Sequence, residues 1–205
     1  MIKMLIDLFM IAMVSIFAEN VVFTGGFSSC QLIRATKRPT QILFFGGVVT
    51  VFELLAVTVI YPIDLLLGVE DWARYVRFAL FPVVVSVIYV VTVLILKAVN
   101  PKLFNLFRKT LIKAAFNCVV LGVPFIISLN KSSVATAAFG NFGYVLFYAL
   151  GAGLGFMVAS WLIYEALDKL QSPEVPKAFS GLPALLIYIG ILSLAFFGFG
   201  GRPLY

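Results

Sequence analysis

The two cysteines are the residues of this sequence with the most specific chemistry. Cys30 and Cys118 both lie in apolar surroundings, and the 205 residues contain no histidine. The lack of an imidazole excludes bis-histidine haem, histidine-ligated zinc and catalysis by a histidine base. Soft thiolates suit iron–sulfur clusters, copper(I) or zinc, but a [2Fe–2S] cluster usually takes four cysteines. The pair is therefore either half of such a site or two small apolar packing residues.

Polar side chains inside apolar stretches are the second group of candidates. Glu53 lies in the middle of such a stretch, where a bare carboxylate costs about 2.5–3.5 kcal/mol on membrane-insertion scales. It predicts either an ion path or proton relay, or a structural pair with a basic residue of a partner subunit. Glu19 and Asn20 either coordinate a cation at a helix break or satisfy backbone groups freed there. Asn117, directly before Cys118, completes this candidate ion path.

The composition indicates which elements must position these residues. Hydrophobic residues make up 62% of the chain and charged residues 12%, against about 45–50% and about 25% in soluble domains. Six apolar stretches, at roughly 2–23, 41–63, 77–98, 104–129, 142–167 and 181–200, are each long enough to cross a bilayer core about 30 Å thick. Because short loops join them, we predict an all-α integral membrane protein with six transmembrane helices.

The basic residues predict how the chain is oriented in the cell inner membrane. The net charge of +6 is spread over short loops, which is typical of a topology signal and not of a nucleic-acid-binding surface. Of the fifteen Lys and Arg residues, ten fall on the side opposite the N-terminus. The positive-inside rule then places both termini outside. The five basic residues on the N-terminal side are Lys3, Arg74, Arg77, Lys131 and Arg202.

The six predicted spans divide into two halves, 1–99 and 100–205. Each half has three spans, which is an odd number, so the second half enters the membrane in the opposite direction from the first. This is the arrangement of an inverted-topology repeat. Each half contains one cysteine. The first apolar stretch continues beyond span one, and thirty helical residues from Met4 to Ile33 would reach about 45 Å, too long for a bilayer core about 30 Å thick. We therefore expect a break at Thr24-Gly25-Gly26. Gly122 and Pro124 predict a second break in span four.

Several segments of the sequence carry a recognisable pattern. N-C-V-V-L-G-V at 117–123 and G-A-G-L-G-F at 151–156 resemble the T-N-C-A-V-L-G and G-x-G-L-G-[FW] segments of the six-span subunits of the Rnf/Nqr family, in its RnfA/NqrE-like branch. E-V-P-K-A-F-S-G at 174–181 and G-I-L-S-L-A-F-F-G-F-G-G at 190–201 are similar to its D-V-P-x-x-F-x-G loop and its closing segment. A-E-N at 18–20 resembles its V-E-N, while its L-G-[LIM]-C-P stands here as F-S-S-C-Q at 27–31.

The resemblance implies a membrane subunit of a redox-driven ion pump, of either the ferredoxin:NAD+ or the NADH:quinone oxidoreductase type, with no active site of its own. In that family, two homologous six-span subunits of opposite topology share one [2Fe–2S] cluster, each giving two cysteines. Those ligands carry over here as Cys30 and Cys118. The implied partners are this homologous subunit, flavin and iron–sulfur proteins, and membrane lipid. The transported ion is Na+ or H+.

A second function fits the same architecture. A small secondary transporter or channel built on the inverted repeat would also have six spans and polar residues at depth. Its cysteines would be packing residues and it would hold no redox centre. Iron and a cluster signal in the purified complex distinguish the first function from this one.

Overall fold

The computed structural model describes residues 2–26, 39–68, 71–130, 141–170 and 181–199, and every regular element within these ranges is an α-helix. Such helices form because, in lipid, long apolar runs can satisfy their backbone only internally. Cys30 lies outside the described residues. The helices are α1 (Ile2–Phe17), α2 (Pro39–Leu67), α3 (Asp71–Val99), α4 (Pro101–Ala115), α5 (Cys118–Asn130), α6 (Phe142–Leu170) and α7 (Leu182–Phe199).

The described helices correspond to the six predicted stretches, and span four contains both α4 and α5. Four segments are long and apolar enough to cross a membrane: Gln41–Leu67, Tyr75–Val99, Phe107–Leu129 and Phe142–Leu167. The first and last stretches appear as shorter apolar helices, Ile6–Phe17 and Pro183–Gly198. The prediction of an all-helical, multi-pass membrane protein is confirmed.

Helix α6 is the centre of the bundle, because α1 and α2 both pack closely against it. Three glycines make this approach possible. A Cβ atom added at Gly151 would lie 2.6 Å from the carbonyl oxygen of Ala12 in α1, and one at Gly153 would lie 2.6 Å from the Thr50 side chain in α2. One at Gly155 would lie 3.0 Å from Asn20 Nδ2. The glycine run at 151–155 is therefore a close-packing helix face.

A buried ion pair joins α2, α3 and α5 near the C-terminal end of α2. Arg77 Nε donates to Asp64 Oδ1 at 2.7 Å, and the Ser128 hydroxyl donates to the same oxygen at 2.7 Å. Arg77 also donates to the carbonyl oxygen of Gly68. Gly68 has φ +67° and follows the last residue of α2, which is the left-handed conformation that commonly ends a helix. Sequence patterns contain no sign of this pair, since its members lie on different helices.

Candidate functional site

Cys118 lies at an interruption between two helices. It is the first residue of α5, and Phe116 and Asn117 separate it from the end of α4. The Asn117 amide N–H donates to Ala114 O at 3.3 Å, a bond to the third preceding residue in place of the helical bond to the fourth. The Cys118 thiol is free and exposed. It therefore lies at the positive end of the α5 dipole, where a negatively charged ligand is stabilised.

Asn117 causes this interruption. Its Oδ1 accepts a hydrogen bond from the amide of Val119 at 3.1 Å, as an N-cap residue does, so the chain turns and restarts as α5. Gly122 and Pro124 instead lie inside α5, so the expected position of a break there was wrong. Pro124 is the seventh residue of α5 and lacks the amide that would bond to the Val120 carbonyl, yet the helix continues through it. An asparagine side chain, in contrast, competes directly with the helical backbone.

The chain also turns after α1. The amides of Ala18 and Glu19 both donate to Val14 O at 2.9 Å, and residues 18–26 then form turns. The helix ends at Phe17, well before the glycine pair at which the sequence predicted a break. As at Asn117, the reason is an asparagine: Asn20 Oδ1 accepts from the amide of Val22 at 3.1 Å. The same two-residue contact therefore occurs once in each half of the chain.

The side chain of Asn20 is occupied by protein groups. Its Nδ2 donates to Ile16 O at 2.9 Å and to Gly155 O at 3.1 Å, and its Oδ1 accepts from two amides, those of Val22 and Phe23. These contacts favour the structural interpretation of Asn20, in which it satisfies backbone groups at the end of α1. Glu19 is half-buried, and its Oε2 accepts a hydrogen bond from the Tyr148 hydroxyl at 3.2 Å.

Two other polar side chains differ from Asn20 in this respect. Glu53 and Asn117 are both completely buried. Among the residues that the structure describes, neither carboxylate oxygen of Glu53 has a hydrogen-bond partner, and neither has Asn117 Nδ2. An unsatisfied polar atom in an apolar interior costs about 1–3 kcal/mol, and more for a charged group. These atoms are therefore the places in the described bundle where a ligand or a rearrangement would be most stabilising.

Of the cysteine pair predicted as ligands, only Cys118 lies within the described residues. Within those residues no three His, Cys, Asp or Glu side chains come together as a metal site would require. The described part of the chain thus supplies one accessible thiol at a helix start, and not a self-contained metal centre. The structure also reveals the Asp64–Arg77 pair, which the sequence did not predict because helix packing alone brings its members together.

The chain is similar to known membrane proteins over nearly its whole length. The family described as "Rnf-Nqr subunit, membrane protein" matches residues 8–202. One subunit of the Na(+)-translocating ferredoxin:NAD(+) oxidoreductase complex of Acetobacterium woodii is 27% identical over 93% of this chain and 95% of its own length. The corresponding subunit of the proton-translocating ferredoxin:NAD(+) oxidoreductase complex of Clostridium ljungdahlii is 29% identical over 91% and 93%.

A third relative, the corresponding subunit of the ion-translocating oxidoreductase complex of Azoarcus sp., is 30% identical over 89% of this chain and 91% of its own length. These alignments run through nearly the whole of both chains, and the family match includes all seven described helices except the first turns of α1. The chain therefore belongs to the Rnf-Nqr family of membrane subunits.

Proposed function

We propose that this chain is the electron-carrying membrane subunit of an ion-translocating oxidoreductase complex. The relatives named above are the corresponding subunits of such complexes, two of them of the ferredoxin:NAD(+) type, and their near full-length similarity supports the same place for this chain. The subunit would pass electrons between domains on opposite faces of the membrane and couple this transfer to Na+ or H+ movement. In this role the subunit would need no substrate site of its own.

The single observation that carries the redox part of the proposal is the placement of Cys118. Free cysteines are among the most buried residues in proteins, but this thiol is exposed at the surface of the chain and at the start of a helix. Exposure is what a ligand shared with another protein requires, because the remaining ligands must approach from outside. The thiol and its position therefore fit one ligand of a shared [2Fe–2S] cluster.

Cys118 and Cys30 would together supply two thiolates, and a homologous six-span subunit of opposite topology would supply the other two. The cluster, when bound, would accept and donate single electrons. Asn117 holds Cys118 at the helix start through its bond to the Val119 amide. Glu53, with Glu19 and Asn117 as further candidates, would belong to the ion path. Asn20, whose side chain makes four hydrogen bonds to the backbone, would instead fix the turn next to Glu19. Flavin and iron–sulfur subunits would deliver and receive the electrons.

An inverted repeat of residues 1–99 and 100–205 is part of this proposal. Its support is the shared local geometry at Asn20 and Asn117, where each side-chain oxygen accepts the amide two residues further on at 3.1 Å. In an inverted repeat these turns would lie at corresponding depths in the two halves, and each would break a transmembrane helix. Broken helices at depth are tolerated where they line a cavity or are buried in protein.

The test is substitution of the cysteines in the assembled complex. We expect Cys118→Ala and Cys30→Ala each to abolish the cluster signal in electron paramagnetic resonance and to lower the iron content by the two atoms of one cluster. Ile112→Ala, which shortens another exposed side chain of the same span, is the matched control and should leave both unchanged. Wild-type iron in either cysteine variant would refute the ligand assignment and favour a metal-free transporter.

A further inference from the structure

We propose that Glu53 and the amide of Asn117 together form a proton-binding site inside the membrane, between α2 and the interruption that separates α4 from α5. The inference rests on the proposed function and specifies where this chain holds a proton. The carboxyl group of Glu53 takes up and releases the proton, and Asn117 Nδ2 donates a hydrogen bond to it.

The register of the helices places the two residues at the same level. Helix α2 runs parallel to α4 and α5: the rings of Phe44 and Phe107 stack with centroids 4.5 Å apart near one end, and Ser128 donates to Asp64 near the other. These pairs are separated by 63 and 64 positions in the sequence. Position 53 of α2 therefore lies at the level of positions 116 and 117.

The two residues also lie on facing sides of these helices. Glu53 shares a helical stripe with Val57 and Ile60, since residues four and seven positions apart lie on one face. Asn117 shares the corresponding stripe with Pro124. These stripes meet further along the bundle, around a small cavity whose lining comes from α2, α5 and α6. Its lining residues are Val57, Ile60, Tyr61, Asp64, Pro124, Ile127 and Val145.

The unsatisfied atoms of the two side chains are complementary. Asn117 Oδ1 is already bonded to the Val119 amide, so only its Nδ2 donor remains, and Glu53 offers only acceptor oxygens when it is ionised. A rearrangement that brought Asn117 Nδ2 onto a carboxylate oxygen of Glu53 would satisfy both groups. A metal cation is a poor occupant here, because it would need several oxygen ligands and the amide group that faces it would be a donor. A proton needs one oxygen.

Basic partners for Glu53 are absent among the described residues. On the helices packed against α2, Arg77 is paired with Asp64, and Lys113 is exposed. The other ionisable groups near this level are a thiol, a carboxyl group and two phenols. The Cys118 thiol is exposed at the start of α5, the Glu19 carboxyl accepts a hydrogen bond from Tyr148 of α6, and Tyr89 of α3 packs its ring against Phe116 at 5.5 Å. The Glu53 carboxylate would therefore be neutralised at this depth by binding a proton.

The experiment uses membranes that contain the assembled complex and an apolar carbodiimide, dicyclohexylcarbodiimide, which adds to protonated carboxyl groups in apolar surroundings. Mass spectrometry should find the adduct at Glu53 and not at Asp64, a buried carboxylate that is paired with Arg77. Glu53→Gln should remove the adduct from this peptide. Absence of labelling at Glu53, or protection by Na+ at constant pH, would overturn the proposal.

The role of Asn117 is tested by the pH at which labelling is half lost. Asn117→Ser keeps an oxygen that can cap α5 but loses the amide donor. Because a carboxylate accepts a hydrogen bond more strongly than a carboxylic acid, loss of the donor should move this midpoint upward by on the order of one pH unit. An unchanged midpoint would refute the pairing. Iron measured in the same membranes keeps this result separate from the cluster assignment.

Discussion

The close approach of α1 to α6 gives a quantitative prediction for Gly151→Ala. The added Cβ would lie 2.6 Å from Ala12 O and 2.9 Å from Ser15 Cβ, whereas ordinary contact begins at 3.4 Å. The shortfall of about 0.8 Å at Ala12 is against backbone, which cannot rotate away, so the two helices must separate locally. Forced overpacking of this kind costs about 1–3 kcal/mol.

A matched control on the same helix separates overpacking from the helix preference of alanine. A Cβ at Gly143 would have its nearest neighbour, Leu8 Cδ2, at 3.9 Å. Gly143→Ala should therefore gain up to about 1 kcal/mol from helix propensity alone. Gly151→Ala receives the same gain and the additional overpacking, so the two variants should differ by about 1–3 kcal/mol.

The assay is unfolding of the purified protein by a denaturing detergent, followed by far-ultraviolet circular dichroism, with both variants beside the wild type. Gly151→Ala should unfold at a lower mole fraction of detergent than Gly143→Ala. If the two variants agree within about 0.5 kcal/mol, which is the spread of neutral surface substitutions, then the glycine contact does not hold α1 against α6. The same variants should retain iron, because neither touches a cysteine.

Three further predictions concern the buried ion pair, the turn at Asn20 and the orientation of the termini. Arg77→Leu should destabilise the protein by about 3–5 kcal/mol in the same detergent assay, because it leaves the buried Asp64 carboxylate without its cation. The double variant Asp64→Asn with Arg77→Leu should recover part of this stability. If it recovers none, the unpaired carboxylate is not the cause of the loss. Asn20→Ala should cost about 2–4 kcal/mol, since four hydrogen bonds are lost, and a cost below about 1 kcal/mol would show that the turn forms without it. Reporter fusions at both termini should be active outside the cytoplasm, as the basic residues predict; activity only inside would reverse the topology.

The sequence predicted the helices far better than the points at which they end. Continuous apolar runs specify a membrane helix almost by themselves, since the backbone has no other solution in lipid. The breaks were expected at Gly25 and Gly26 and near Pro124, but the chain turns earlier, at Asn20 and Asn117. Glycine and proline only tolerate a turn, whereas the asparagine side chain supplies the hydrogen bond that replaces the helical one.

The candidate site shows the same division between local and long-range information. The depth of Glu53 follows from its position within one apolar run, and its lack of a partner on neighbouring turns could be anticipated from helix geometry. That Glu53 lies at the level of Asn117 could not be anticipated from the sequence. The register between α2 and α5 depends on contacts such as that of Asp64 with Ser128, which are 64 residues apart. The ligand role of Cys30 and Cys118 stays a prediction.

The glycines of α6 also determine which parts of the bundle can move. The backbone of Ala12 packs against Gly151, and the Thr50 side chain packs against Gly153. Each occupies the space that a Cβ atom would fill at that single position. Translation of α1 or α2 along α6 would bring these groups against side chains instead. We therefore expect these three helices to move together. Relative movement of helices in the described bundle should take place where α3, α4, α5 and α7 contact them.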